Sequence, residues 1–259
     1  MTILRAAALT ACLLVGCEKR APDKLAPASS ALTSAAPASR SAVRFRVDPA
    51  RSKASFVMDA PLEKIHGEAE ASGSGELFVD PEDLRRTTGL IKVDLKRLEL
   101  FQQRRSAEQG DYGARVKSER QNEHMRTWLE IADDAPTDVR ERNRYVEFKL
   151  LEIDDPNPPR LSPSSTAEQK LTAKVRGELR LHGRKSTQIT PVEALFQFEG
   201  NRPKSVAIRT LQPIAISLEE HDVRPREAFG KLAEATLDTL GKKVARVAPV
   251  NFEFIATAE

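Results

Sequence analysis

From residue 43 onward, apolar and polar side chains alternate along much of the chain. Ile91, Val93 and Leu95 share one face, as do Val146, Phe148 and Leu150, then Ala194, Phe196 and Phe198, and finally Phe252, Phe254 and Ala256. A period of two is the signature of half-buried antiparallel strands. The pattern predicts strands near 43–48, 52–59, 67–79, 87–96, 144–153, 170–181, 185–198, 205–218 and 249–256. No strand-helix-strand rhythm interrupts them. Two stretches read as helical: Phe229, Leu232, Thr236, Leu237, Leu240 and Val244 recur at three- and four-residue spacing, and 119–131 carries His124, Met125, Trp128 and Leu129. Polar connections at 102–118 and 154–169, the second with Pro156, Pro158, Pro159 and Pro163, read as surface insertions.

The amino end follows different rules. Arg5 precedes an apolar stretch from Ala6 to Val15, and Leu14-Val15-Gly16-Cys17 leads into Glu18, Lys19 and Arg20. That order is a signal peptide, since a membrane span needs about 20 apolar residues. The four residues ending at Cys17 resemble the lipobox of bacterial lipoproteins, which implies cleavage before Cys17 and lipidation of its thiol, as with diacylglyceryl and palmitate chains. With Cys17 lipidated and Cys12 removed, no cysteine is left for a disulfide or a thiol nucleophile. Residues 18–42 are mostly Ala, Ser and Pro with no aromatic residue, a composition that cannot bury enough surface to order itself. The expected organisation is a signal peptide at 1–16, a lipidated cysteine and disordered tether at 17–42, and one domain at 43–259.

Lysine and arginine total 41 against 38 acidic residues, interspersed rather than clustered. Such a surface carries no nucleic-acid footprint. There is no Gly-x-Ser-x-Gly elbow, phosphate loop or dinucleotide fingerprint. None of His66, His124, His182 and His221 has a second ligand or acid partner at a useful spacing. Asp222 follows His221 directly, but adjacent residues on a strand point to opposite faces. The sequence therefore predicts no enzyme, no cofactor and no metal site.

Several segments resemble one family in order. Val47-Asp48-Pro49-Ala50-Arg51-Ser52 is followed by Ala54, Phe56 and Met58, with Arg51 where the family has His. Gly73-Ser74-Gly75-Glu76-Leu77, Val79-Asp80-Pro81 and Ile91-Lys92-Val93-Asp94-Leu95 come next, then Asn122-Glu123-His124-Met125-Arg126. The most specific run is Val175-Arg176-Gly177-Glu178-Leu179-Arg180-Leu181-His182-Gly183, followed by Ile189, Pro191 and Val192. Ile216-Ser217-Leu218 with His221-Asp222-Val223, and Val250-Asn251-Phe252-Glu253-Phe254, close the series. Over about 43–256 the chain resembles the YceI-like family of periplasmic, polyisoprenoid-binding proteins.

The resemblance implies an all-β fold, an antiparallel up-and-down, lipocalin-like barrel of about eight strands with one or two short helices. It also implies non-catalytic binding or carriage of a long-chain isoprenoid, of quinone or polyprenyl phosphate type, in the bacterial cell envelope. Phe56, Phe148, Phe196, Phe198 and Trp128 are the candidate lumen residues, with Cys17 the lipidation site. The expected location is lipid-anchored and periplasm-facing, with the outer membrane favoured because Glu18 stands where an inner-membrane retention signal has Asp. Barrels of this size either fill with side chains or hold one ligand. A filled barrel acting as a structural or interaction lipoprotein is thus the alternative, and whether the chain forms a homodimer is left open.

Overall fold

The structure, a computed structural model, describes residues 29–33, 36–60, 62–107, 110–162, 167–224 and 246–259. Cys17, the signal peptide and the expected helix from Phe229 to Val244 lie outside the described residues. Among the described residues, twelve strands form one antiparallel sheet: β1 (Val43–Ala60), β2 (Glu63–Glu70), β3 (Gly73–Val79), β4 (Thr88–Asp94), β5 (Leu98–Arg104), β6 (Val116–Lys117), β7 (Tyr145–Asn157), β8 (Glu168–Leu181), β9 (Arg184–Glu199), β10 (Arg202–Thr210), β11 (Ile214–Ser217) and β12 (Val247–Ala258). Two helices, α1 (Glu119–Trp128) and α2 (Thr137–Asn143), sit between β6 and β7.

Registers collapse these strands into eight long tracks. β2 and β3 run in series along β1, β4 and β5 run in series along β2 and β3, and β10 and β11 run in series along β12. Pairing of β12 with β1 closes the ring, so the molecule is a closed eight-stranded antiparallel barrel. The predicted strands at 43–48 and 52–59 are one strand, bent where the register jumps between Val47 and Ser52. Pro49 has no N–H to give the ladder, and a bulge is where a strand tolerates one. Asp48 accepts from Ala50 N at 3.0 Å, and the Ser52 hydroxyl donates to Pro49 O at 2.7 Å while accepting from Gly73 N at 2.6 Å. Those bonds tie the bulge to the break between β2 and β3.

The connections expected at 102–118 and 154–169 are shorter than their polarity implied. β5 takes residues 102–104, β6 takes 116–117, and β7 and β8 take the two ends of the second connection. The predicted hairpin turn at His182-Gly183 is present, with φ of 50° and 70°. Positive φ at both central residues is the twist-matched choice for a tight hairpin.

One expectation is corrected. Residues 29–33 and 36–42 are not a free tether, because Ser29 N donates to Gly183 O at 2.7 Å, Leu32 N to Glu147 Oε2 at 2.8 Å, and Ala36 O accepts from Thr88 Oγ1 at 2.5 Å. Backbone groups, which composition does not reveal, hold this strap to the outer wall. Beneath it, Glu147 and Arg180 face outward from β7 and β8 yet are each 2% exposed, with Arg180 Nη1 3.5 Å from Glu147 Oε2 and Lys92 Nζ 3.0 Å from Glu147 Oε1. Arg180 also donates to Ser29 O at 3.2 Å and to Arg142 O at 3.1 Å.

Removing one partner of a buried ion pair leaves the other charge without water or counter-charge. Glu147→Ala is therefore expected to lower the unfolding free energy by about 3–5 kcal/mol. Urea unfolding checks this, with a lower midpoint at unchanged slope.

Candidate functional site

Among the described residues, the barrel is filled at one end. There, Phe45, Val47, Val206 and Ala256 pack with Phe196, and the Phe45 and Phe196 rings meet edge to face at 5.9 Å and 82°. Above this plug runs a cavity of about 1520 Å³, lined by inward residues of every long track, among them Ala54, Ile91, Leu150, Val192, Ile208 and Phe252. Small-molecule sites usually occupy about 300–1,000 Å³. Water at about 30 Å³ per molecule would number on the order of 50 here, facing walls with few hydrogen-bonding groups. The space suits a long apolar occupant.

Inward-facing small residues keep the lumen open. Ala54, Ala69, Ala173, Ala194 and Ala248 contribute only a methyl group each. Gly67 and Gly177 contribute none, and aromatic rings lie over them: a Cβ at Gly67 would collide with the Phe56 ring, and one at Gly177 with the Phe148 ring. Each ring fills the place of a missing side chain on the neighbouring strand and lies along the wall.

Of the candidate lumen residues, Phe56, Phe148, Phe196 and Trp128 line this cavity. Phe198 does not. It shares the inward face of β9 but lies beyond Phe196, packed against the filled end.

Helix α1 lies across the open part of the barrel, and one asparagine docks it there. The fully buried Asn122 accepts from Leu100 N at 2.9 Å and donates to Leu100 O at 3.0 Å and Ser118 O at 2.9 Å. Its amide thus satisfies the edge of β5 as a strand would. This turns Met125 and Leu129 into the upper core and sets His124 and Trp128, stacked at 6.1 Å and 13°, against the cavity. Around the opening stand Asp59, Glu63, Arg104, Arg120, Arg224 and Arg246.

A polar network closes the side of the barrel near the His182 turn. His182 Nε2 lies 2.8 Å from Glu130 Oε2, its Nδ1 lies 3.2 Å from His221 O, and Asn143 Nδ2 donates to Glu130 Oε2 at 3.3 Å. The fully buried His221 has Nδ1 3.3 Å from Leu181 O and Nε2 3.0 Å from the Ser186 hydroxyl. An Nδ1–H donating to that carbonyl leaves Nε2 to accept from Ser186. Asp222 pairs instead with Arg224 at 2.7 Å. Sequence spacing did not reveal the Glu130–His182 pair, whose members are 52 residues apart and meet only through the barrel. Among the described residues, no group of three His, Cys, Asp or Glu side chains is arranged to hold a metal.

No family model and no curated protein matches the sequence. A polyisoprenoid-binding domain from Saccharophagus degradans, implicated in plant cell wall breakdown, superposes with a TM-score of 0.50 at 12% identity, covering 84% of this chain and 99% of that one. The two share one fold. The family resemblance read from the motifs and this likeness in three dimensions point to the same barrel. BcnA from Burkholderia cenocepacia is similar at a TM-score of 0.46 and 16% identity, over 82% of this chain and 99% of its own.

Two outcomes follow from the cavity and its flank. Gly177→Val is expected to push the Phe148 ring into the lumen, destabilise the barrel by about 1–3 kcal/mol and cut the uptake of an apolar fluorescent dye. Burial pushes the His221 imidazole below its ordinary value, against the opposing pull of its bond to Leu181 O. The unfolded chain then binds the proton first, so stability held above about pH 6.5 is lost as pH falls toward the lowered folded value. Burial and then the nearby Arg120 push His124 the same way. Urea midpoints should fall between about pH 7 and pH 5, and less steeply in His221→Gln.

Proposed function

We propose that the barrel binds and carries a long-chain isoprenoid lipid in its cavity without altering it chemically. The observation that carries this reading is the single continuous apolar lumen of about 1520 Å³, plugged at one end and edged with polar groups at the other. Each methylene moved from water into such a lumen contributes about 0.8 kcal/mol, so a long tail is held tightly by its length alone. The fold shared with a polyisoprenoid-binding domain supports the same ligand class. A quinone or a polyprenyl phosphate fits the shape, with the tail inward and the head at the polar opening. A filled barrel with no ligand, the other reading open to the sequence, is disfavoured by a lumen this large.

The setting we propose is the bacterial cell envelope, with lipid on Cys17 anchoring the barrel to a membrane, the outer membrane favoured. The anchor would hold the barrel beside the membrane that supplies or receives its lipid. More than one acyl chain would be needed for stable attachment, because a single chain binds only marginally.

Extraction of the purified full chain with organic solvent, followed by mass spectrometry, is expected to release a prenyl lipid in near-stoichiometric amount. An empty extract together with no binding of offered prenyl lipids would refute the reading. Cys17→Ser should free the protein from membranes and leave lipid binding intact.

A further inference from the structure

The strap that precedes β1 has its two ends at opposite ends of the barrel. β1 begins at Val43, paired with Val79 and two residues from Phe45 in the plug. A chain leaving directly from there would depart beside the filled end. The strap carries it up the outer wall instead. Traced back from β1, the Ser41 hydroxyl donates to Asp80 Oδ1 at 3.2 Å beyond the end of β3, and Ala36 O accepts from Thr88 Oγ1 at the start of β4. The Thr33 hydroxyl accepts from Lys149 Nζ at 3.1 Å, and Leu32, 6% exposed, gives its N–H to Glu147. Ser29 then gives both its N–H and its hydroxyl to Gly183 O, at 2.7 and 2.8 Å.

Gly183 belongs to the open end. The hairpin of β8 and β9 has Phe196 of the plug opposite Gln169 near its foot, and the His182-Gly183 turn at its tip. His182 Nδ1 lies 3.2 Å from His221 O, and the next residue, Asp222, lines the opening of the cavity. The strap thus moves the point at which the preceding chain meets the barrel from the plugged end to the open end. It also shortens what is left. Residues 17 to 29 span at most about 40 Å when fully extended, whereas residues 17 to 43 would span about 90 Å.

The rim carries side chains that a bilayer surface accepts. Leu62 and Val247 are 49% and 44% exposed, and each adjoins in sequence a residue that lines the opening, Glu63 and Arg246 respectively. Exposed aliphatic groups beside arginines suit the boundary between headgroups and acyl chains.

We infer that the docked strap holds the open end of the barrel against a membrane surface, so that the cavity faces lipid and the plug faces away. The inference rests on the lipid anchor at Cys17 proposed above. The bilayer is the partner, met by the rim around the opening, and the strap supplies the orientation that a long tether from β1 would not.

The test places one fluorophore on Leu62→Cys or on Asn201→Cys, in the exposed turn between β9 and β10 at the plugged end. The lipidated full chain is bound to phosphatidylethanolamine and phosphatidylglycerol vesicles that carry a nitroxide on their headgroups. The label at Leu62 is expected to be quenched about threefold or more strongly than the one at Asn201, because strands of this length set the two ends tens of ångströms apart. Ser29→Pro with Leu32→Gly, which removes both donors to Gly183 O and the buried side chain, should erase that contrast. A flexible insert of twenty residues before Ser29, which leaves strap and barrel untouched, should shrink it. Equal quenching at both sites in the unaltered chain, or a contrast that survives both changes, would overturn the inference and leave the anchor standing. Failure of the chain to float with the vesicles would instead remove the anchor on which the inference rests.

Discussion

The seam between β1 and β12 is the constraint from which the rest follows. Without it the sheet would end in two long edges of unpaired backbone, each a template for another chain. With it, every long track has a partner on both sides, and inward residues face a common interior. The bulge from Val47 to Ser52 lets one eighteen-residue strand serve both halves, pairing with β3 below and β2 above while following β12 throughout. Ser52, 4% exposed, fixes that bend by bonding on both sides of it.

Closure alone does not decide between a packed core and a container. Eight strands enclose a space that ordinary side chains can fill, and at the end holding Phe45 and Val206 they do. Farther along, alanine and glycine replace bulk on the inward face, and the large rings nearby lie flat over glycines instead of crossing to the far wall. The fold thereby gives up some packing contact along the lumen, and a bound tail would supply what the side chains do not.

Much of the barrel could be read in the chain because alternation at positions such as Ile91, Val93 and Leu95 reports directly which face is buried. The same rule placed Phe56, Phe148 and Phe196 inward. It could not show that Phe198 stops at the plug, since that depends on depth along the axis and not on face. The role of Gly177 was hidden for a related reason, because its partner Phe148 lies on another strand and register decides their meeting. The whole of β5, Leu98–Arg104, escaped notice as strand because its apolar alternation stops after Leu98 and Leu100 at Gln102, Gln103 and Arg104. Helix α2 escaped because Thr137–Asn143 has one aliphatic residue, Val139, and no stripe. Asn122 lay within a motif that resemblance singled out, but only the structure explains it, as a side chain standing in for a strand.

The strap from Ser29 onward also determines how the molecule would bear load. Among the described residues, a pull from the amino-terminal side would meet the bonds from Ser29 to Gly183 and from Leu32 to Glu147 before reaching β1. Those bonds sit over the ion pair of Glu147 and Arg180, which staples β7 to β8. Tension would therefore enter through the middle of the barrel wall, where both strands have neighbours on each side, and the seam between β1 and β12 would be shielded from peeling.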